Sequence, residues 1–573
     1  MVNLTVDGKP VQVPEGAMVL MAAKKAGAHV PTLCDMKGIN QIGACRVCVV
    51  EVEGEERLAA ACNTPVAEGM VVRTNTPRVI SARRANVQMI LSEHRSECTT
   101  CVRATTCALR ALANDLAIER LPFAAQPPAV EPWDSSFPLI RDNTKCIKCM
   151  RCVAECASVQ HCAVWDFTGT GSHMHVTVTE GKTIDTAKCA LCGQCITHCP
   201  TGALTARDDV DVVLDALMDP KVMTVVQVAP AVRAAWGEGV GVAREDATPG
   251  RMASALRALG FDRVFDTDFA ADLTIMEEGS EFVEFIGSDK PRPMFTSCCP
   301  GWVRFAKLHY PQFVPQLSSA KSPHQMMGAV VKNTLRAEAE EAGKRLFVLS
   351  IMPCVAKKYE CGVPQLATEA GKDVDAVLTV REFDRMLNMF KVDCGALEET
   401  AFDNPLGLST GAGTIFGRTG GVMEAALRSA VYLITGENPD FSACDTTAAT
   451  PEEPWVSKEL NVAGTPVRIA VASGLGNTAK LLDALEAGEA EFDFVEIMAC
   501  PGGCVGGGGQ PIEFNKELGP ERAANLNALD EADTLRYSHE NPDIAKLYAD
   551  WVGEPLSHTA HEWLHTDQEA WDI

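Results

Sequence analysis

The sequence predicts a multi-domain α/β protein. Its 573 residues are too many for a single hydrophobic core, so several domains are expected. Its 24 cysteines fall into separate groups along the chain, which predicts small cysteine-bearing modules ahead of a larger domain. From about residue 209, apolar strand-like runs alternate with helical stretches, as in MTVVQVAP followed by AVRAAWGE. This alternation predicts a large α/β domain over 209–573, of two lobes with mainly parallel sheets.

Charge and composition exclude several classes of partner. The net charge of −25 would repel phosphates, so no nucleic-acid partner is expected. There is no apolar run long enough to cross a bilayer and no signal-peptide layout at the N-terminus, which predicts a cytoplasmic protein without membrane contact. Because disulfides are rare in a reducing compartment, the cysteines are expected to bind metal.

Residues 1–78 contain strand and turn patterns with one short helix near 19–26. The loop GACRVC places two cysteines among small residues, so backbone N–H groups can approach the sulfurs. We expect a [2Fe–2S] cluster on a ferredoxin-like β-grasp domain, with a zinc site as the alternative. The four candidate ligands are Cys34, Cys45, Cys48 and Cys62.

Residues 79–122 are predicted to be a small helical domain. A histidine and three cysteines follow one another there with short spacings, namely His94, Cys98, Cys101 and Cys107. One neutral imidazole among three thiolates suits a [4Fe–4S] cluster whose reduced form is favoured. The alternative is that the histidine is an ordinary surface or core residue. A Pro- and Ala-rich stretch over 121–133 is expected to be an extended connector.

Residues 134–208 carry two Cys-x-x-Cys-x-x-Cys triplets, each with a fourth cysteine beyond it. This is the repeat of bacterial two-cluster ferredoxins, in which each fourth cysteine ligates the other cluster. The first [4Fe–4S] cluster is therefore assigned to Cys146, Cys149, Cys152 and Cys199. The second is assigned to Cys189, Cys192, Cys195 and Cys156.

Three further cysteine motifs lie in the C-terminal domain: TSCCPGW at 296–302, MPC at 352–354 and CPGGC at 500–504. Four of their thiols could converge on one cubane cluster, which requires four ligands. These are Cys299, Cys354, Cys500 and Cys504. Cys298 then stands beside the cluster as a spare thiol, which indicates proton chemistry there.

The motifs TSCCPGW, MPCVAKK and MACPGGCVGGGGQP resemble the three signatures of the [FeFe]-hydrogenases. The preceding domains resemble those of the long clostridial type, with one [2Fe–2S] and three accessory [4Fe–4S] clusters. The resemblance implies an H-cluster, a [4Fe–4S] cube joined to a diiron site with CO, cyanide and azadithiolate. In that family pattern Cys299, Cys354 and Cys500 hold the cube, and Cys504 bridges it to the diiron site.

The resemblance also implies a pocket around the diiron site. Lys357 would donate a hydrogen bond to a cyanide, although a surface role is the alternative. The other residues expected to bind the cofactor are Pro230, Ala231, Met352, Pro353, Phe416 and Met498. Ala231 replaces a serine of the family, and His324 replaces a glutamine; we expect both changes to tune the site.

The family's proton route maps onto the motifs MEEGSE and LSSAKSP. It would run from Cys298 through Glu278 and Ser318 to Glu281. The two glutamates are three residues apart, so a helix places them on one face, and burial would raise their pKa values. Phe285 stands where the clostridial type has an arginine, which leaves the surface end of the route undefined.

The resemblance implies reversible conversion of two protons and two electrons to H2, with ferredoxin as electron partner and maturation factors that supply the diiron unit. The electrons would pass through the accessory clusters, the last of them held by Cys156 and the 189–195 triplet. One alternative is the catalytic subunit of an NAD(P)-linked or electron-bifurcating hydrogenase with a flavin-containing subunit. Two others are an H2 sensor and a non-enzymatic, narf-like iron–sulfur assembly protein.

Overall fold

The computed structural model describes residues 1–446 and 453–573. It is a mixed α/β protein in which two four-stranded sheets consist mainly of parallel strands. The prediction of a mixed α/β fold with parallel sheets is confirmed. Within the described ranges, no helix is both long and apolar enough to span a bilayer.

The N-terminal region is one five-stranded sheet with a helix packed on it. Its elements are β1 (Val2–Val6), β2 (Lys9–Val13), α1 (Val19–Lys25), β3 (Val49–Val52), β4 (Ala59–Ala60) and β5 (Val71–Arg73). The strand order is β2-β1-β5-β3-β4, with β1 and β5 parallel and the other pairs antiparallel. Alternate residues of the strands, such as Leu4 and Val6, pack against Val19 and Ala22 of α1. The long segment between α1 and β3 is thereby held over the sheet as a loop.

Two helices follow, α2 (Pro77–Ser92) and α3 (Ala108–Asp115). Thr76 begins α2, since its side chain accepts a hydrogen bond from the N–H of Val79. The prediction of one helical segment over 79–122 is wrong for residues 93–107, which form an irregular loop with a single 3₁₀ turn. A continuous helix would spread its side chains around the axis, whereas a loop lets an imidazole and three thiols face one point.

The next region contains two short antiparallel ribbons and two one-turn helices. The elements are β6 (Leu139–Arg141), α4 (Arg151–Ala154), β7 (Trp165–Thr168), β8 (His175–Val178), α5 (Gln194–Thr197) and β9 (Leu204–Ala206). Strand β6 pairs with β9, and β7 pairs with β8. Each one-turn helix begins inside a cysteine triplet, so the triplets wrap around the helix N-termini.

The C-terminal region has two sheets, which correspond to the two predicted lobes. Its strands are β10 (Val222–Val228), β11 (Arg263–Asp266), β12 (Met294–Phe295), β13 (Arg345–Met352), β14 (Ala376–Thr379), β15 (Val456–Val462), β16 (Thr465–Ser473) and β17 (Phe494–Met498). One sheet has the order β11-β10-β13-β14 and is fully parallel. The other has the order β12-β17-β16-β15, with β15 antiparallel to β16.

Helices cover both sheets. They are α6 (Val210–Met218), α7 (Pro249–Ala258), α8 (Thr267–Ile286), α9 (Pro300–His309), α10 (Pro323–Thr334), α11 (Arg336–Glu341), α12 (Lys357–Glu360), α13 (Val380–Met389), α14 (Gly411–Thr414), α15 (Gly421–Thr435), α16 (Phe441–Cys444), α17 (Leu475–Glu486), α18 (Gly519–Ala532), α19 (Pro542–Leu547) and α20 (His558–Leu564). Helix α8 contributes Phe269 and Leu273 to the core of the first sheet and Ile275 and Phe282 to the core of the second. It therefore lies between the lobes, where a site shared by both sheets has to form.

Candidate active site

The three C-terminal cysteine motifs meet because each follows a strand at the carboxyl end of its sheet. The chain leaves β12 just before Cys299, β13 just before Cys354 and β17 just before Cys500. Ligand sites collect at this edge of parallel sheets. Burial, and then repulsion from Cys299, raises the pKa of Cys354 to about 12. Burial and the neighbouring thiols likewise raise the pKa values of Cys500 and Cys504. In this closed space each thiolate would repel the others. A cluster of several iron cations would compensate these negative charges, so the four thiols suit such a cluster.

A glycine run, Gly506–Gly509, closes the space between the motifs. A Cβ on Gly507 would lie 2.2 Å from the carbonyl oxygen of Pro353. A Cβ on Gly508 would lie 2.6 Å from the Cα of Gly193. Side chains are excluded by sterics at these positions, so glycine brings this loop against both the MPC motif and the second ferredoxin-like triplet.

The predicted pocket residues are buried and surround one space. The turns Pro230–Val232, Ile415–Gly417 and Cys504–Gly506 contact one another, and the first also contacts β13, which ends at Met352. Phe416 and Met498 pack with Cys298 in the core of the second lobe. The result is an apolar wall beside Cys504 that keeps water away.

Lys357 is buried at the base of α12 rather than on the surface. Its Nζ donates to the carbonyl oxygen of Cys298 (3.2 Å) and to Glu360 Oε2 (2.8 Å). Glu360 also contacts His324 Nδ1 at 2.6 Å, so the histidine that departs from the family pattern orients the partner of the lysine. Burial opposes the charge of Lys357, but the carboxylate of Glu360 more than offsets it and raises the pKa of the lysine. A cation is thus held ready in a dry site.

Glu278 lies beside the Ser318–Glu281 pair of the proposed proton route, close enough for both residues to affect its pKa. Glu278 is fully buried, and neither carboxylate oxygen has a hydrogen-bond partner among the described residues. This burial, followed by repulsion from Glu281, raises the pKa of Glu278 to about 8. Ser318 Oγ donates to Glu281 Oε2 at 2.6 Å. Burial raises the pKa of the Cys298 thiol well above its usual value, and the carboxylate of Glu278 raises it further. These two groups are therefore close enough to interact.

The outer end of this route is closed at Phe285. The side chain is buried, and its ring stacks on Phe282 with centroids 6.5 Å apart. Phe282 in turn stacks on Phe494 of β17 at 4.5 Å. Residue 285 therefore belongs to the core of the second lobe and offers no polar group to a proton.

The two ferredoxin-like cysteine sets line two separate cavities. One is lined by Cys146, Cys149, Cys152 and Cys199. The other is lined by Cys156, Cys189, Cys192 and Cys195. These are the crossed sets that the spacing predicts. Each cavity thus has four thiols around one space, which is the number of ligands that a [4Fe–4S] cluster requires.

A fifth thiol, that of Cys162, also lines the second cavity. Cys162 matches no ligand spacing, so the sequence does not mark it as a cavity residue. Its Sγ donates to the carbonyl oxygen of Gln160 at 3.3 Å. Only the fold could reveal its position, since the chain reverses between Cys156 and β7.

The N-terminal thiols also converge. The thiols of Cys45 and Cys62 both donate hydrogen bonds that lower the pKa of Cys34, and Cys62 also interacts with Cys48. In the following loop, His94 Nδ1 is buried without a hydrogen-bond partner in the described part of the chain. An imidazole nitrogen left free in this way is suited to a metal.

Short contacts join the cysteine groups of the first three modules. The side-chain amide of Asn40 donates to the carbonyl oxygens of Cys34 (2.7 Å) and Cys149 (2.9 Å). A Cβ on Gly202 would lie 2.7 Å from Cys101 Sγ, so the His94–Cys107 loop packs directly on the ferredoxin-like module. Both N-terminal groups therefore adjoin the first ferredoxin-like cavity.

The second ferredoxin-like cavity adjoins the C-terminal site. Cys500 Sγ lies 3.6 Å from the carbonyl oxygen of Cys192. The side-chain amide of Gln194 donates to the carbonyl oxygen of Gly506 at 2.9 Å. This module is thus fixed to the glycine run that closes the active site.

Comparison with known proteins agrees with this arrangement. The family "Iron only hydrogenase large subunit, C-terminal domain" matches residues 222–508. Four further families match in order along the chain: a 2Fe-2S iron-sulfur cluster binding domain (1–77), the NADH-ubiquinone oxidoreductase-G iron-sulfur binding region (83–121), the ferredoxin-like domain of NADH-quinone oxidoreductase subunit 3 (138–205) and the iron hydrogenase small subunit (517–569).

Two relatives match over nearly their whole length. The chain is 44% identical to the NADP-reducing hydrogenase subunit HndD of Solidesulfovibrio fructosivorans, over 99% of this chain and 98% of the relative. It is 36% identical to iron hydrogenase 1 of Clostridium pasteurianum, over 99% of each. A solved structure of an apo [FeFe]-hydrogenase from Chlamydomonas reinhardtii matches with a TM-score of 0.56 and 41% identity, over 63% of this chain and 98% of the other.

The fold and the site therefore define an iron–sulfur oxidoreductase with [2Fe–2S] and [4Fe–4S] modules. The chain belongs to the iron-only hydrogenase family. The resemblance predicted from the three C-terminal motifs is confirmed.

Proposed function

We propose that this protein interconverts protons and H2 at an H-cluster held by Cys299, Cys354, Cys500 and Cys504. The observation that carries the proposal is a set of buried polar groups next to those four thiols. Lys357 donates to the carbonyl oxygen of Cys298, Ser318 donates to Glu281, and Glu278 is close enough to Cys298 to raise the pKa of its thiol. When bound, the H-cluster supplies the redox and hydrogen chemistry, which no side chain provides. The chain contributes a dry pocket, a fixed ammonium group and a path for protons.

The residues act in a definite order. Glu278 is neutral near pH 7 because its pKa is raised to about 8, so it can hand a proton to the Cys298 thiolate and take one from Ser318. Ser318 draws on Glu281 through its 2.6 Å hydrogen bond. Lys357 stays charged against Glu360 and presents N–H donors to anionic ligands. Met352, Met498 and Phe416 exclude water from the pocket.

The accessory modules are proposed to carry one [2Fe–2S] and three [4Fe–4S] clusters on the cysteine and histidine sets described above. The contact of Cys192 with Cys500 supports the second ferredoxin-like cluster as the last carrier before the cube. The contacts of Asn40 and Gly202 support two routes into the first ferredoxin-like cluster.

Two electron partners have support. The similarity to an NADP-reducing hydrogenase subunit, together with modules like those of NADH dehydrogenases, supports a flavin-containing NAD(P)H-linked subunit. The full-length similarity to the clostridial enzyme supports ferredoxin.

The test is an H2 assay on protein loaded by the maturation factors, with reduced ferredoxin and NAD(P)H offered separately. H2 evolution with either donor, together with infrared bands of metal-bound CO and cyanide, is expected. Activity with NAD(P)H only when a flavin subunit is added would identify the multi-subunit enzyme. A loaded protein that shows the bands but neither evolves nor consumes H2 would refute the catalytic proposal and favour a sensor; absence of the bands would favour an assembly protein.

A further inference from the structure

The hydrogen-bonded network does not end at Glu281. Ser319 Oγ lies 2.9 Å from Glu281 Oε1 and 2.8 Å from His565 Nδ1. His565 Nε2 lies 2.9 Å from Glu277 Oε2, on the same helix as Glu281. His565 is buried at the C-terminal end of α20 and has no place in the route assigned above.

We propose that His565 is the proton donor that recharges Glu281 through the hydroxyl of Ser319, and that the exposed His561 connects it to solvent. This inference rests on the proposed function. It gives the proton route a different end at the protein surface, because the buried ring of Phe285 closes the end that the family resemblance predicts.

The number of protons that each group can donate determines the direction of each hydrogen bond between Glu281 and Glu277. A carboxylate only accepts hydrogen bonds, so the Ser319 hydroxyl donates to Glu281. His565 Nδ1 must then donate to Ser319, because the hydroxyl has only one proton. Glu277 accepts from the hydroxyl of Tyr548 at 2.5 Å and from the N–H of Leu556 at 2.9 Å, as an ionised carboxylate does. It therefore accepts from His565 Nε2 as well, and the imidazole carries both protons.

A single proton transfer then reverses the direction of these hydrogen bonds without breaking them. The Nδ1 proton of His565 passes to Ser319 Oγ while the hydroxyl proton of Ser319 passes to Glu281. The imidazolium becomes neutral imidazole, the carboxylate becomes a carboxylic acid, and both hydrogen bonds persist with donor and acceptor exchanged. The Nε2–H bond to Glu277 holds the ring in place throughout. Once Glu281 has passed its proton inward, the Ser319 hydroxyl turns back to the carboxylate, and the freed Nδ1 of His565 takes the next proton from the side of His561.

His561 supplies the connection to water. It lies one helical turn before His565 in α20, and the two rings contact with centroids 4.7 Å apart. His561 is exposed, whereas His565 is buried. The exposed ring of His561 is therefore in contact with both water and the buried ring.

The first readout follows the proton without requiring H2 turnover. Protein that carries its iron–sulfur clusters is mixed into D2O, and the infrared carbonyl band of protonated Glu278, identified by its loss in Glu278→Gln, shifts as deuterium arrives. We expect the shift to slow by about tenfold or more in His565→Ala and in Ser319→Ala, and added imidazole to restore the rate in His565→Ala alone. His558→Ala, an exposed histidine on the same helix, is the matched control and should match the wild type.

The second readout is H2 evolution by the matured enzyme, in which the infrared bands of CO and cyanide establish that the active site is intact. His565→Ala should lose about tenfold in rate and recover with imidazole. Wild-type exchange and turnover in both His565→Ala and Ser319→Ala would overturn the inference. A mature wild type without activity would instead refute the proposed function, while the deuterium experiment would still test the route. If His565→Ala fails to fold, Ser319→Ala decides alone.

Discussion

Burial determines the chemistry of individual residues in this site. Glu278 has no hydrogen-bond partner in the described part of the chain and a pKa raised to about 8, so it is a neutral acid near pH 7. Lys357 is equally buried but keeps its charge because Glu360 lies within 2.8 Å. The same lack of water thus yields a proton donor in one case and a fixed cation in the other.

Cys298→Ala should reduce H2 turnover by about 100-fold or more, since the thiol is the group that we propose passes protons from Glu278 to the active site. The infrared bands of CO and cyanide should persist, because Cys298 is not among the four proposed ligands. Cys361→Ala, a buried free thiol in the other lobe, is the control. Normal turnover in Cys298→Ala would contradict the assigned proton route.

The raised pKa of Glu278 predicts how stability depends on pH. The carboxyl is neutral when folded up to about pH 8, whereas it ionises near pH 4 when unfolded. The contribution of this carboxyl to the free energy of unfolding is complete below its pKa in the unfolded chain. It is lost, by about 1.4 kcal/mol per pH unit, as the pH rises towards its pKa in the folded protein. Glu278→Gln removes this loss. The unfolding temperature of the variant, measured relative to that of the wild type, should therefore rise between the unfolded and the folded pKa and stay constant at higher pH. Glu284→Gln, exposed on the same helix, should show no such trend.

Cys162 and Cys192 line the same cavity, but only the second has ligand spacing. Cys162→Ala should retain all bound iron, since its thiol donates to a backbone carbonyl. Cys192→Ala should lose the signal of one [4Fe–4S] cluster in electron paramagnetic resonance. Loss of a cluster from Cys162→Ala, with retention in Cys192→Ala, would mean that the crossed assignment is wrong.

At the scale of elements, the site depends on loops that leave parallel strands. Strands β12 and β17 end side by side in one sheet and β13 ends in the other, and from each of them the chain turns at once into a cysteine motif. The glycine run then packs its backbone on two of the other loops. Because these loops are held by backbone contact, a single added methyl group is enough to separate them.

Gly508→Ala should therefore disturb the junction between the second ferredoxin-like module and the active site. A Cβ there would lie 2.7 Å from the carbonyl oxygen of Cys192, and overpacking of this kind costs about 1–3 kcal/mol. We expect a lower unfolding temperature and slower reduction of the active site after rapid mixing with a reductant. Gly519→Ala begins α18 in open space and should leave both quantities unchanged.

At the scale of the whole molecule, the two N-terminal cysteine groups both adjoin the first ferredoxin-like cavity, so the proposed clusters would give electrons two points of entry. Cys48→Ser should remove the [2Fe–2S] cluster and slow H2 evolution with the natural donor that uses it. Evolution with a small viologen dye, which can reduce the other clusters directly, should change little. Equal loss with both donors would argue that the N-terminal module stabilises the enzyme rather than feeding it.

The sequence alone determined the family, because the cysteine motifs of iron–sulfur proteins are short and their internal spacing is local. It predicted the crossed sets that line the two ferredoxin-like cavities and the three motifs around Cys299, Cys354 and Cys500. It could not predict the loop over 93–107, because helical propensity there is overridden by the need to bring side chains together.

Only the tertiary structure decided which distant groups share the site. His565 lies 246 residues from Ser319 in sequence yet 2.8 Å away in space, and no local pattern marks it. The same holds for Glu360 beside Lys357 and for Cys162 in its cavity. Spacing specifies what a segment can bind, whereas hydrogen-bond partners that are distant in sequence are set by the fold, in which α10 packs on both α8 and α20 and α12 packs on β14.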